Sequence, residues 1–245
     1  MLISVPGTGM MAERYGDPES QVWALHGWGR SRRDWEPVLF DRDAVSFDLP
    51  GFGATSAPDT PWTTLDYAQA LLAGLPDGQT RVLAGHSFGG RIAIQMAALA
   101  PQKVRALVLT GVPLLRRSGG GKPKVGYRMA RWLHAHQLLG DARMEAYRQR
   151  YGSADYRAAV GVMRTIMVSA VNEDYADQLR MIAEAGIPVV MVWGADDTEV
   201  PVAIAQAARG ILGEAAELTV VDGATHQLDD HLAEPLRAAL RSVSA

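Results

Sequence analysis

Short apolar runs alternate with longer segments of helical period along most of this chain, and the alternation breaks once. Leu2–Val5 and Met10–Tyr15 flank Pro6-Gly7 and predict an opening hairpin. Val22–Leu25, Ala44–Phe47, Val82–Ala84, Val104–Leu109, Pro188–Trp193 and Leu218–Val221 are brief, apolar and mostly β-branched, as buried strands are. Between them lie helical patterns. Ser31 is placed to cap a short helix carrying Trp35, Val38 and Leu39. Thr64 or Asp66 opens a helix through Leu75, with Leu65, Ala68, Leu71 and Leu72 on one face. Further helices are predicted from Phe88 to about Leu99, over Val202–Leu212 and over Leu232–Val243. Strands alternating with helices imply a mostly parallel sheet covered on both faces.

The break covers 113–187, where no strand pattern is found. A glycine-rich basic loop, Arg116–Lys124, precedes a predicted helix from Lys124 to about Leu139 with Val125, Met129, Trp132 and Leu133 on a common face. Others are predicted over Ala142–Tyr151, over Ala154–Val171 with Ser153 as cap, and from Glu173 to Glu184. The expected organisation is a core made of 1–112 and 188–245, with 113–187 as a helical cap inserted after the sixth strand. Trp132 is its candidate substrate contact.

Composition narrows the picture modestly. At 245 residues, with 48% hydrophobic and 21% charged positions, the chain has the profile of one globular α/β domain with an insertion. No cysteine is present, which removes thiol nucleophiles, disulfides and thiolate metal sites. A net charge of −3 gives no reason to expect nucleic acid. The start lacks the features of a secretory signal and no apolar run approaches the length of a membrane span, so cytoplasm is the default expectation. One local feature departs from the global balance. Residues 112–140 hold Arg116, Arg117, Lys122, Lys124, Arg128 and Arg131 and no acid. Lys124, Arg128 and Arg131 share a helix face, either as a solvated stripe or as a cationic entrance for an anionic substrate.

The candidate chemistry centres on RVLAGHSFGGR, Arg81–Arg91. Gly85-His86-Ser87-Phe88-Gly89 fits G-x-S-x-G on a strand running into a helix. A serine at so tight a turn is held at strained dihedrals with its hydroxyl clear of the backbone. Gly85 and Gly89 are expected to lack side chains because the turn crowds them, and Gly90 to let the helix pack on the strand. The Phe88 N–H, in the first helical turn, suits a developing negative charge. A serine needs a base, and His226 follows a strand on the rim expected for Ser87. His231, beside Asp229 and Asp230, is the competitor. His134 and His136, two apart on a helix, point in different directions, and His86 is expected to pack or bond locally. The acid belongs on the same rim, where Asp196 and Asp197 follow Pro188–Val192 and either reaches His226. The loop Thr110-Gly111-Val112 has no acid to offer. A second oxyanion donor is available in the Trp28 N–H of His26-Gly27-Trp28-Gly29.

These positions together resemble the α/β-hydrolase superfamily. The matching residues are His26-Gly27-Trp28-Gly29, Asp48-x-Pro-Gly-x-Gly through Gly53, Gly85 to Gly90, Gly194-x-x-Asp197 with Pro201, and Gly223-x-x-His226. The resemblance implies the order Ser, Asp, His, selects Asp197 over Asp196, makes the Asp48–Gly53 loop structural, and puts a helical cap at 113–187. Ser87 argues against the related haloalkane dehalogenases and epoxide hydrolases, which carry aspartate there. Gln227 departs from the tryptophan common in C–C bond hydrolases of ring-cleavage pathways. Arg91 resembles the arginine of the menaquinone-pathway lyase of this fold, although that enzyme usually has tyrosine where this chain has His86.

The expected activity is therefore a serine hydrolase of a small ester, thioester or activated amide. Its triad is Ser87, His226 and Asp197, its oxyanion donors are Trp28 and Phe88, and Arg91 and Trp132 are candidate substrate contacts. No cofactor and no metal are expected. The partner is a small molecule, with an anionic one as the option the basic block opens. Neither nucleic acid nor stable membrane insertion is expected, and oligomeric state stays open. A lyase or cofactor-free enzyme using the same triad as a base, and a ligand-binding member with a vestigial site, are the alternatives.

Overall fold

The computed structural model describes residues 1–17, 21–116, 132–134, 136–151 and 154–244. Its centre is one eight-stranded sheet in the order β1-β2-β4-β3-β5-β6-β7-β8. The strands are β1 (Leu2–Val5), β2 (Met10–Tyr15), β3 (Val22–Leu25), β4 (Ala44–Phe47), β5 (Arg81–His86), β6 (Val104–Thr110), β7 (Val189–Gly194) and β8 (Ala216–Val221). The opening hairpin pairs antiparallel, Leu2 opposite Glu13 and Val5 opposite Met10, and β2 joins β4 antiparallel with Ala12 opposite Phe47. All remaining pairs are parallel.

Alternation along the central strands explains why they are apolar throughout. Leu83, Leu107, Leu109, Val189, Met191 and Trp193 face one core. Val82, Ala84, Ala106, Val108, Val190 and Val192 face the other. Successive side chains point to opposite faces, so a strand covered on both sides has no polar phase. On the first face lie α2 (Thr64–Ala73), α3 (Phe88–Leu99), α7 (Ala176–Glu184) and α8 (Val202–Leu212); on the second lie α1 (Glu36–Leu39) and α9 (Asp230–Ser244). A one-turn 3₁₀ segment, Arg32–Trp35, leads into α1, and Ser31 caps it as expected.

Several boundaries moved for identifiable reasons. The α2 cap is Thr63, one residue before the first predicted candidate, in a reciprocal capping box with Asp66. Its buried face is Thr64, Tyr67, Ala68 and Leu71, so Leu65 falls outside and is exposed. The expected helix over Ala154–Val171 is two pieces, α5 (Ala154–Ala158) and α6 (Gly161–Ala170). Gly161, at φ +53°, and an extended Val160 interrupt it. Ser153, its expected cap, lies outside the described residues. Before these comes α4 (Asp141–Tyr151). α7 starts at Ala176 rather than Glu173, and it packs on α3 and α8, inside the layer that covers the sheet. Of the helix expected over Lys124–Leu139, residues 132–134 are helical and Gln137 has turned to φ +59°. The basic residues Arg117, Lys122, Lys124, Arg128 and Arg131 lie outside the described residues. No described helix is long and apolar enough to cross a membrane.

The strand order reverses around β3, which has β4 on one side and β5 on the other. The carboxyl ends of β3 and β5 therefore open on a crevice, where open parallel sheets take their ligands. Gly27 and Trp28 follow β3, and Ser87 follows β5.

Candidate active site

Ser87 sits between β5 and α3 at φ 48° and ψ −110°, a left-handed conformation that few residues with a side chain adopt. Backbone bonds hold it from both sides: its N–H donates to Thr110 O at 3.0 Å, and the Gly89 N–H donates to His26 O at 3.0 Å. The glycines around it are required sterically. A Cβ on Gly85 would lie 2.5 Å from Gly90 Cα, and one on Gly89 would lie 2.3 Å from Leu25 O. Gly90 makes room for Val112, beyond β6, at 2.2 Å from its virtual Cβ, rather than for the strand it follows. The Phe88 N–H is the first orphan donor of α3.

The structure brings Asp197 and His226 together across 29 positions of sequence. His226 Nδ1 and Asp197 Oδ2 are 2.8 Å apart, both residues buried. The other oxygen of Asp197 accepts from the Glu199 N–H at 2.9 Å and the Val200 N–H at 2.7 Å, so the carboxylate cannot swing away. Asp196 is exposed, and its backbone N–H donates to Ala224 O. Against the carboxylate, His226 presents Nδ1–H, which leaves Nε2 as the acceptor of the neutral ring. Gly111, at φ +59°, forms the floor: a Cβ there would lie 2.9 Å from His226 Cε1 and Nδ1. The loop that offers no acid thus contributes by offering no side chain. His231 is exposed beside Asp229 and takes no part.

Two further histidines are buried beneath the site as neutral rings. His26 Nδ1 lies 2.7 Å from Gly27 O, and its Nε2 accepts from the Leu49 N–H at 3.1 Å. A carbonyl only accepts and an amide N–H only donates, so His26 carries its proton on Nδ1. Burial holds its pKa below the ordinary value. Gly27 O and the Trp28 N–H belong to one planar peptide and point opposite ways, so this bond also orients the Trp28 donor. No backbone carbonyl among the described residues takes the Trp28 N–H. The second histidine, His86, does not bond locally: its Nε2 is 2.9 Å from the backbone O of His226. Its ring lies 5.0 Å from that of His226, and its Nδ1 is buried without a hydrogen-bond partner among the described residues. Burial, then the proximity of His226, pushes its pKa down to about 3.

Ser87, His226 and His86 line one cavity of about 490 Å³ with Gly27, Trp28, Gly29, Arg30, Asp155, Glu199 and Gln227. Trp28, Phe52, Phe88 and Tyr67 adjoin it as a run of edge-to-face rings, with Trp28 and Phe88 centroids 5.1 Å apart. The two expected substrate contacts are elsewhere. Arg91 is buried, donates to Ala170 O and lies over the Tyr175 ring at 5.7 Å, so its guanidinium ties α3 to the end of α6. Trp132 is 57% exposed and packs on His136. Arg116, the described member of the basic block, is bound to Asp174 and Asn172. Among the described residues, the ionic groups that line the cavity are Arg30, paired with Asp34 at 2.7 Å, and the carboxylates Asp155 and Glu199. None of these three was singled out from sequence: each sits in a polar stretch with no spacing to mark it.

Comparison with known proteins accords with this geometry. The model of the alpha/beta hydrolase family matches residues 24–239. Over 228 residues the chain is 28% identical to the biotin biosynthesis bifunctional protein BioHC of Cellvibrio japonicus, a match covering 86% of this chain and 44% of that protein. It spans about half the length of the longer relatives it matches in this way. Over 90 residues it is 37% identical to the pimeloyl-[acyl-carrier protein] methyl ester esterase of Pseudoalteromonas atlantica, covering 35% of this chain and 34% of that one. Among solved structures, a thermophilic esterase superposes with a TM-score of 0.69 at 21% identity, over 99% of this chain and 97% of that one.

Proposed function

Because the chain belongs to the alpha/beta hydrolase family, we propose that it hydrolyses a small ester, thioester or activated amide through an acyl-enzyme on Ser87. The observation that carries this reading is the buried 2.8 Å contact between His226 Nδ1 and Asp197, behind the cavity that His226 and the strained Ser87 both line. A matched relative named as a methyl ester esterase supports the ester-bond chemistry.

Ser87 Oγ attacks the acyl carbon while His226 Nε2 takes its proton. Asp197 keeps the other ring proton on Nδ1 and stabilises the imidazolium without itself becoming protonated. The oxyanion forms between the Trp28 and Phe88 N–H groups, donors already oriented before the reaction begins. The imidazolium then protonates the leaving group, and His226 activates water to release the acid. In this reading the cap runs from 113 to about the end of α6, with Asp155 of α5 at the cavity and α7 in the core. The lyase alternative drew on Arg91, which is engaged in packing.

A fluorophosphonate probe should label Ser87, and Ser87→Ala should abolish labelling and ester turnover with Tm essentially unchanged. Asp197→Asn should lower kcat by about 10⁴-fold, and Asp196→Asn should leave it near wild type. Elimination without labelling would point to the lyase, and absence of both to a vestigial site.

A further inference from the structure

His86 is a buried side chain to which the triad mechanism gives no task. It ends β5 and directly precedes Ser87. Its Nε2 is 2.9 Å from the backbone O of His226. A carbonyl only accepts, so the ring proton is on Nε2 and Nδ1 carries a lone pair. That lone pair is turned towards Gly27, where a Cβ would lie 2.8 Å from it, and it meets no donor among the described residues. A buried acceptor left unpaired costs stability, so packing alone does not account for a histidine here. What the ring holds is the base. Among the described residues, no other hydrogen bond reaches the N–H or the carbonyl of His226. Asp197 fixes Nδ1 of the imidazole and leaves the ring to pivot about that contact. Holding the carbonyl fixes the other end of the residue, at its Cα.

We propose that His86 is a positioning residue for the reaction, its bond to the His226 carbonyl setting Nε2 against Ser87 Oγ and against the departing oxygen. The inference rests on the serine-hydrolase reading. The anchor is β5, paired with β6 along its length, so the strand end that carries the nucleophile also holds the backbone of the base, 140 positions away. Burial keeps His86 neutral, and it therefore adds no charge beside the imidazolium, whose ring centre lies 5.0 Å away. The consequence falls on one step. In acylation the C–O bond of the ester breaks, and Nε2 passes the proton taken from Ser87 to the alcohol oxygen. Ethoxide needs that proton in order to leave, whereas para-nitrophenolate leaves as the anion. A misplaced Nε2 therefore slows the two esters unequally, and a loss of folded enzyme slows them equally.

The test compares kcat/KM for ethyl and para-nitrophenyl butyrate in wild type, His86→Leu and His86→Gln. The ratio of the two esters cancels the active fraction of each preparation. His86→Leu, which has no donor, should lower the ethyl ester value by about 10²-fold, the scale of a small misplacement. The ratio of ethyl to para-nitrophenyl should fall by about tenfold. His86→Gln, whose amide N–H reaches the same carbonyl, should return the ratio towards wild type. If the leucine variant does not fold, His86→Asn takes its place, since its amide is too short to reach. A ratio unchanged in the variant without a donor, with Ser87 still labelled by fluorophosphonate, would overturn the positioning role alone. So would equal shifts in the variants with and without a donor. A wild type that turns over neither ester would overturn the role together with the reading of the site as one for small esters.

Discussion

Single residues in this site act mainly by constraining their neighbours. His26 illustrates it: the residue is fully buried and makes two bonds, one of which fixes the peptide that presents the Trp28 N–H. His26→Leu removes the donor to Gly27 O and frees that peptide to rotate. We expect kcat to fall by about 10²-fold, the scale of a lost oxyanion donor, with a much smaller change in KM. Steady-state kinetics on a neutral ester checks the split; a change in KM alone would remove His26 from this role. Arg91 is the opposite case, a residue whose type suggests ligand binding and whose environment assigns it to packing. Arg91→Ala should lower the unfolding free energy by about 1–3 kcal/mol through the lost bond to Ala170 O and the lost stacking on Tyr175. The ratio of anionic to neutral ester turnover should not move. Urea denaturation and paired ester assays measure the two effects.

At the scale of elements, the site depends on where helices start and stop. α2 begins at a reciprocal cap, Thr63 Oγ1 on the Asp66 N–H and the Asp66 carboxylate on the Thr63 N–H. Its first residue, Thr64, reaches Glu173 on the far side of the insertion, and Glu173 in turn meets Tyr175. Thr63→Ala should cost about 1 kcal/mol, read as a lower urea midpoint at unchanged slope. Sequence periodicity located this helix but favoured Leu65 over Tyr67 for its inner face. Periodicity is blind to which of two adjacent apolar phases meets the sheet, and here the phase containing Tyr67 packs on Phe88, ring centroids 5.3 Å apart. The same blindness joined α5 to α6. Only the backbone at Gly161 separates them, and a glycine is compatible with a helix interior at modest cost.

For the whole molecule, two buried neutral histidines tie stability to pH. His86 has its pKa pushed down to about 3 from an ordinary 6.5, and that of His26 is lowered by the same cause, burial. The unfolded chain takes up these protons below pH 6.5 and the folded chain does not. Stability from this source is therefore full above about 6.5 and is lost progressively as pH falls towards 3. Between those limits His86 contributes a slope of about 1.4 kcal/mol per pH unit, and His26 adds to it in the same direction. His86→Gln keeps a donor for His226 O and removes one titrating group. Its unfolding free energy should accordingly fall less steeply with acid than that of wild type, by about that slope. Parallel pH profiles from denaturant titrations would show that His86 does not stay neutral in the fold.

The sequence by itself determined what depends on neighbours in the chain. The strands are legible because a sheet covered on both faces leaves no polar phase, and the elbow is legible because Gly85, Ser87 and Gly89 must be close in sequence to be close in space. Both aspartates after β7 and the histidine after β8 are visible for the same reason: strand ends share a rim. Choosing Asp197 over Asp196 needed a resemblance to relatives, since two adjacent carboxylates look alike until one is buried against His226 and the other faces water. Tertiary structure alone decided the partners of the isolated residues. His86 bonds a carbonyl 140 positions away, Arg91 finds one 79 positions away, and Gly111 matters only because an imidazole rests on it. Glu199 approaches His226 Nε2 through a contact that no spacing encodes. Local pattern reflects the geometry of one element against one surface, whereas these contacts are made between elements, whose relative placement is set by the summed packing of the whole sheet.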